Sequence, residues 1–254
     1  MIKYLTFSLL GLLLLGLAAS YGAAEDQQIL PLFEAANTSA TSGECTKAIS
    51  QYKAIAASHG ISAPLLFNLA NCYAATGDVG RAVLIYERAL RLAPGNSDIQ
   101  ENLAQVRKDA GLYQDVTPLY ERYATLLGAD QWLLLAATGF TLLSLILFAA
   151  GCRYVQPALT RWIAGVCLLL ILCTLPPALL QYRHWDTGII IDDNATLLVS
   201  PFAKAAPTGS LRPGRRVTIK KRHGDFVLVE DRTGQSGWLA TKQLATITKL
   251  EDLE

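Results

Sequence analysis

Two apolar runs, Trp132 to Ala150 and Trp162 to Leu180, contain no charged residue. As helices rising about 1.5 Å per residue, each is long enough to cross the roughly 30 Å hydrocarbon layer of a bilayer. The residues between them, Gly151 to Arg161, carry Arg153 and Arg161 and no acid. Short basic loops stay on the cytoplasmic side, so both flanking regions are expected to face outward. A hairpin buried in a soluble core is the competing reading, but the flanking segments are too small and polar to cover it on every side.

The amino terminus points the same way. Met1-Ile2-Lys3 precedes an apolar run from Leu5 to Leu17 and then small residues up to Ala24, the outline of a secretory signal that becomes a third span if it is not cleaved. The expected organisation is a signal over 1–24, an outer helical module over 25–112, a juxtamembrane linker over 113–130, spans over 131–150 and 162–182, a cytoplasmic loop over 151–161, and an outer β module over 187–249. The chain is thus read as a multi-pass inner-membrane protein with both modules periplasmic. Charged residues make up 17% of the chain, with a formal net charge of +1, which suits a membrane-anchored protein. Nucleic acid is not expected as a partner outside the cytoplasm. A module of about 65 residues is near the lower limit for an independently stable core, so two small modules are expected in place of one large enzyme.

Within the first module the sequence matches itself at an offset of 34 residues: Leu32 with Leu66, Phe33 with Phe67, Ala36 with Ala70, Asn37 with Asn71, Gly43 with Gly77, Ala48 with Ala82 and Tyr52 with Tyr86. This is the period of the all-α helix-turn-helix repeat of the tetratricopeptide type. Small Ala70 and Ala82 let paired helices approach, Tyr73 and Tyr86 fill the space beside them, and Pro94-Gly95 ends the second helix. A third first-helix follows from Asp98 to about Lys108 and caps the stack. The first copy departs from the pattern, since Thr38 to Ser42 lacks the large aromatic present at Tyr73.

An array of this kind has one open inner groove, lined by register with Phe33, Asn37, Phe67, Asn71, Glu101 and Gln105. Amides and aromatics in a ladder suit a peptide backbone. The alternative is that the aromatics pack between helices and the amides are ordinary surface. No Lys or Arg occupies these positions, which argues against capture of an acidic carboxyl-terminal tail.

From Gly188 the pattern changes to short strands, expected at Ile189 to Ile191, Thr196 to Val199, Val217 to Lys220, Phe226 to Glu230 and Gly237 to Leu239. Their close spacing argues for a small all-β barrel, and the order of features resembles a bacterial SH3-like domain in which Gly234 and Gly237 turn the chain and Trp238 lies on a buried strand. Arg212, Arg215, Arg216, Lys220, Lys221 and Arg222 form a basic run without an acid. It suits anionic headgroups or an acidic partner, or is an ordinary solvated face.

Catalytic signatures do not emerge. His59, His184 and His223 sit in three separate elements, and no metal-ligand, redox-thiol, phosphate-loop or nucleophile-elbow spacing is present. His184-Trp185-Asp186 reads as an interfacial anchor. No cofactor is expected. Cys45 and Cys72 are the two outer thiols, expected as neighbours across the repeat boundary, with a disulfide and buried free thiols both open.

The signal, the repeats with Asn68-Leu-Ala-Asn-Cys-Tyr73 and Arg88-Ala-Leu-Arg-Leu-Ala-Pro94, the two-span hairpin and the terminal SH3-like module together resemble the BatE family of the Bacteroides aerotolerance system. The resemblance rests on the order of the parts. It implies a non-enzymatic inner-membrane protein acting with other Bat proteins, some carrying von Willebrand factor type A domains, and indirectly with a MoxR-type ATPase. A scaffold that binds partners through two tethered modules is the leading expectation; a cell-wall binder that recognises peptidoglycan through the β module is the alternative.

Overall fold

The computed structural model describes residues 29–112, 119–124, 126–152, 156–183 and 187–248. The expected signal over 1–24, Arg153 of the loop, and the anchor residues His184 and Asp186 lie outside the described residues.

Five helices come first: α1 over 29–41, α2 Cys45–His59, α3 Ala63–Ala75, α4 Val79–Leu92 and α5 Ser97–Asp109. Their boundaries follow local chemistry. Ser62, Asp78 and Asn96 each accept a hydrogen bond from a backbone N–H of the following first turn, capping α3, α4 and α5. Gly43 and Gly77, one repeat apart, both have φ of 81°, the left-handed geometry that turns the chain between the two helices of a repeat. Where Tyr73 stands in the second repeat, the first has Ser39, which is buried. The helix over 29–41 forms regardless.

α6 (Leu119–Ala124) leads into α7 (Ala129–Gly151) and α8 (Pro157–Arg183), an antiparallel pair. Both are long and apolar enough to cross a membrane, and only 11% and 22% of their apolar windows are buried. Gly139 marks their close approach, since a Cβ there would lie 2.5 Å from Leu170 Cδ2. Within α8, Pro177 has no N–H to offer the carbonyl of Cys173 one turn earlier. The Tyr123 hydroxyl donates to that carbonyl at 3.2 Å, fastening α6 against α8. Tyr123 also packs on Trp132, ring centroids 5.1 Å apart, and Trp132 Nε1 donates to the Ala124 carbonyl.

Beyond α8 the chain forms one curled antiparallel sheet: β1 Thr187–Ile190, β2 Ala195–Leu198, β3 Pro207–Leu211, β4 Arg216–His223, β5 Phe226–Asp231, β6 Ser236–Ala240 and β7 Leu244–Thr246, in spatial order β3-β2-β6-β5-β4-β1-β7. β3 and β7 are absent from the sequence expectation; Pro207 and Gly209 disguise the first, and the second is only three residues long. Two glycine and tryptophan assignments change. Gly234 has φ of 84°, but Gly237 is not a positive-φ turn residue; it sits within β6 because a Cβ would come 2.8 Å from Leu197 Cβ. Trp238 is half-buried on the outer face, and Gly237 and Leu239 on either side of it point inward, because side chains alternate along a strand.

The sheet does not stand apart from the helices. β1 is buried along its whole length: Ile190 belongs to the core of the sheet, whereas Ile189 and Ile247 belong to the core of the helical repeats. α4 meets β1 directly, and Gly80 makes the approach possible, since a Cβ there would lie 2.8 Å from Ile191 Cα and 2.9 Å from the Ile190 carbonyl. Gly214, with φ of 80°, fits in the same way against Val79, Val83 and Leu112. The Arg88 guanidinium, 1% exposed, donates to the Thr246 carbonyl at 3.0 Å, and Glu87 pairs with Arg107 and Arg216. The two expected modules meet at this contact, with a core of its own on each side of it. It also puts the residues before α7 and those after α8 at the same end of the hairpin.

Replacing Gly80 with Ala should therefore lower stability by about 2 kcal/mol, as overpacking against backbone does, and should raise hydrogen exchange in β1. An unchanged unfolding midpoint together with unchanged β1 protection would show that the sheet and α4 are not in contact.

Candidate functional site

The six groove candidates fall at matching register positions of the first helices. Phe33 and Asn37 lie on α1, Phe67 and Asn71 on α3, Glu101 and Gln105 on α5, and these first helices are neighbours, while the sheet covers α4 on the other side. At these positions Glu101 and Gln105 are exposed, and Phe33, Asn37, Phe67 and Asn71 are half-buried.

The roles within the face divide. Asn37 Oδ1 accepts from the Tyr52 hydroxyl at 2.6 Å and from Asn68 Nδ2 at 2.8 Å. Thirty-four residues on, Asn71 Oδ1 accepts from the Tyr86 hydroxyl and from Asn102 Nδ2. Each repeat boundary is thus stitched by the same triad: a tyrosine of the second helix, an asparagine of the first, and an asparagine of the next first helix. Phe33 packs on Tyr52 and Phe67 on Tyr86, with ring centroids 6.0 Å and 6.2 Å apart. These four groove candidates are half-buried and act first as structural parts. Glu101 and Gln105 are exposed, and Gln105 donates to Asp109 on its own helix.

Asn68 and Asn102 complete the triads and were missed, although they obey the same offset and were legible by it. Burial of the tyrosines is what makes the triads firm. It pushes the Tyr52 and Tyr86 hydroxyls up to about 12, against hydrogen bonds from Asn68 and Asn102 that pull the other way.

Cys45, half-buried, and Cys72, buried, are free thiols. The two are near enough to hydrogen-bond. Burial first, and then that bond, push the Cys72 thiol up to about 12.

The basic run does not form one patch. Arg215 pairs with buried Asp231 at 2.7 Å, Arg216 with Glu87 at 3.8 Å and Lys220 with Glu230 at 2.8 Å. Arg212, Lys221 and Arg222 are exposed. Folding brings acids from β5 and α4 to residues that stand in an acid-free run in sequence. Asp231 is the firmest of these acids. Burial alone would raise its pKa, but the Thr233 hydroxyl, the Gln235 N–H and the charge of Arg215 hold it below the usual carboxylate range.

The tyrosine shifts set the alkaline limit of the repeats. An unfolded phenol titrates near 10.0 and these two near 12, so the neutral form is favoured in the fold. The stability tied to it is intact below 10 and is lost as pH rises through 12. Tyr86→Phe should remove one late-titrating phenol from the phenolate absorbance curve, and Asn71→Ala should cost about 2 kcal/mol by orphaning two donors. A Tyr86 that titrates with the exposed tyrosines would refute the triad.

Residues 63–96, the stretch from α3 to the cap of α5, match the model of the tetratricopeptide repeat (TPR). No curated protein matches the chain. TPR repeats mediate binding to protein partners, and the chain carries such a repeat next to two helices long and apolar enough to cross a membrane.

Proposed function

We propose that this chain is a non-enzymatic, membrane-anchored scaffold whose first-helix groove holds an extended segment of a partner protein in a Bat-type envelope complex. The observation that carries the reading is the tetratricopeptide register, which sets exposed Glu101 and Gln105 on α5 in line with the half-buried candidates of α1 and α3. The triads hold that face rigid before any ligand arrives, which lowers the ordering cost of binding. The hairpin fixes the complex in the inner membrane, and the curled sheet, taken as SH3-like, gives a second surface. Other Bat proteins with von Willebrand factor type A domains are the partners this reading names, with a MoxR-type ATPase acting through them.

Asn37 and Asn71 are unsuited to testing the groove, because their loss weakens the fold. Glu101 and Gln105 are exposed and serve better. Glu101→Lys combined with Gln105→Lys should leave the unfolding midpoint unchanged and reduce partner recovery in pull-downs from detergent extracts at least about tenfold, a loss of roughly 1.4 kcal/mol. Undiminished recovery would remove the groove from the mechanism.

The topology has its own test. Alkaline phosphatase joined after Glu254 should be active, and green fluorescent protein exported there by the general secretory route should stay dark. The reverse pattern would put the sheet, and with it the repeats that it meets, in the cytoplasm.

One observation supports a second reading, a cell-wall binder. Trp238 is half-buried on the outer face and meets His223 edge-on at 6.3 Å, the type of aromatic surface on which a glycan stacks. Sedimentation of the full chain with purified sacculi, abolished by Trp238→Ala and unaffected by the groove pair, would favour it over the scaffold. No sedimentation at moderate salt would dismiss it.

A further inference from the structure

We propose that Cys45 and Cys72 are a reactive dithiol, which a disulfide-bearing oxidant converts into a bond locking the first repeat to the second. Cys45 is the first residue of α2, the second helix of repeat one, and Cys72 lies near the end of α3, the first helix of repeat two. Cys72 belongs to the core of the repeats, and Cys45 packs against that core. Their thiols are near enough to hydrogen-bond. The Tyr52 hydroxyl lies beside both: burial is the first cause of its raised pKa, and the charges of Cys72 and Cys45 add to it.

Repeat register places the pair independently. Thirty-four residues on, the same two positions hold Val79 and Val106, and both pack against the core. Packing at a repeat boundary therefore asks only for a small apolar side chain here, and sulfur adds a chemistry that packing does not require. The two thiols differ in access: Cys45 is half-buried and reached by solvent, and Cys72 is buried. Side chains of Ser62, Asp78 and Asn96 cap α3, α4 and α5, whereas Glu44 makes no such bond to the first turn of α2. The turn that carries Cys45 thus lacks the bond that fixes the others, which leaves it room to close from hydrogen-bond contact to a sulfur–sulfur bond of about 2.0 Å.

The exchange runs in two steps. The Cys45 thiolate attacks one sulfur of the oxidant and breaks its disulfide; a mixed disulfide forms, and one thiol leaves with a proton. Cys72 then gives its proton to solvent, its sulfur attacks Cys45 Sγ, and the oxidant's second thiol departs. Two protein thiols become one disulfide, and the oxidant's disulfide, gaining their two electrons, becomes two thiols. Burial and the bond to Cys45 hold the proton on Cys72, so the second step is the slower one. The product ties α2 to α3 beside Tyr52, Asn37 and Asn68. It closes a loop of about 27 residues and so removes freedom from the unfolded chain. Oxidants of this class act outside the cytoplasm, a placement that the fusions above test separately.

The test uses the full chain, purified in detergent and reduced, then held in graded ratios of reduced and oxidised glutathione, quenched in acid, alkylated and mapped by mass spectrometry. A bond between Cys45 and Cys72 should form and raise the unfolding midpoint by about 5 °C or more, a gain that dithiothreitol reverses. Cys45→Val combined with Cys72→Val should fold, since valines fill the equivalent positions one repeat on, and should show no such gain. Cys72→Val alone should hold glutathione on Cys45, and Cys45→Val alone should leave Cys72 a free thiol. Recovery of Cys45 and Cys72 as thiols, or joined only to glutathione, Cys152 or Cys173, would overturn the site, and a bond without the rise in midpoint would overturn the lock. The map of the wild type decides the site whether or not the variants fold.

Discussion

Contact between β1 and α4 is the constraint on which the rest of this molecule depends. A strand can lie on a helix at backbone distance only where a side chain is missing, and Gly80 on the helix and Gly214 before β4 supply the two gaps. Ile189 and Ile247 then enter the core of the repeats, and the buried guanidinium of Arg88 reaches the Thr246 carbonyl. A repeat array this short exposes an unpaired apolar face at its last complete repeat. Here the sheet covers that face, and the sheet, small for an independent core, gains apolar burial in return.

That contact also arranges the surfaces. The sheet occupies the α4 side, and the asparagine and tyrosine triads keep the face formed by the first helices in one conformation. Because arginines of the sheet are brought against α4 and α5, a charged cleft forms on the other side of the repeats. The face of the first helices and the charged cleft thus both follow from where the sheet meets α4.

The hairpin is tied to α6 by polar groups that an apolar surrounding would otherwise leave unsatisfied. Pro177 frees the Cys173 carbonyl inside α8, and apolar side chains offer no donor to replace the lost N–H. Tyr123 supplies it from α6. α6 is thereby laid along α8, and Trp132 closes the corner by donating to the end of α6.

Much of this architecture was legible in the sequence. Unbroken apolar length marks α7 and α8, because nothing but a helix of that length hides so many side chains. The offset of 34 residues marks the repeats, because paired helices need small and large residues at fixed places; it also carries Asn68 and Asn102, had it been followed to every polar position. A signal for the docked sheet was present as well. Gly188-Ile-Ile-Ile191 does not alternate as a strand with one wet face should. What periodicity cannot say is which surface covers such a segment. Pairing of Glu87 with Arg216, closure of β1 on α4, and the approach of Arg107 to Arg215 and Arg216 join residues more than a hundred positions apart in the chain. Only the tertiary structure decided these, because a contact between distant segments depends on the shape and charge of both surfaces once folded, and neither surface exists in the sequence of its own segment.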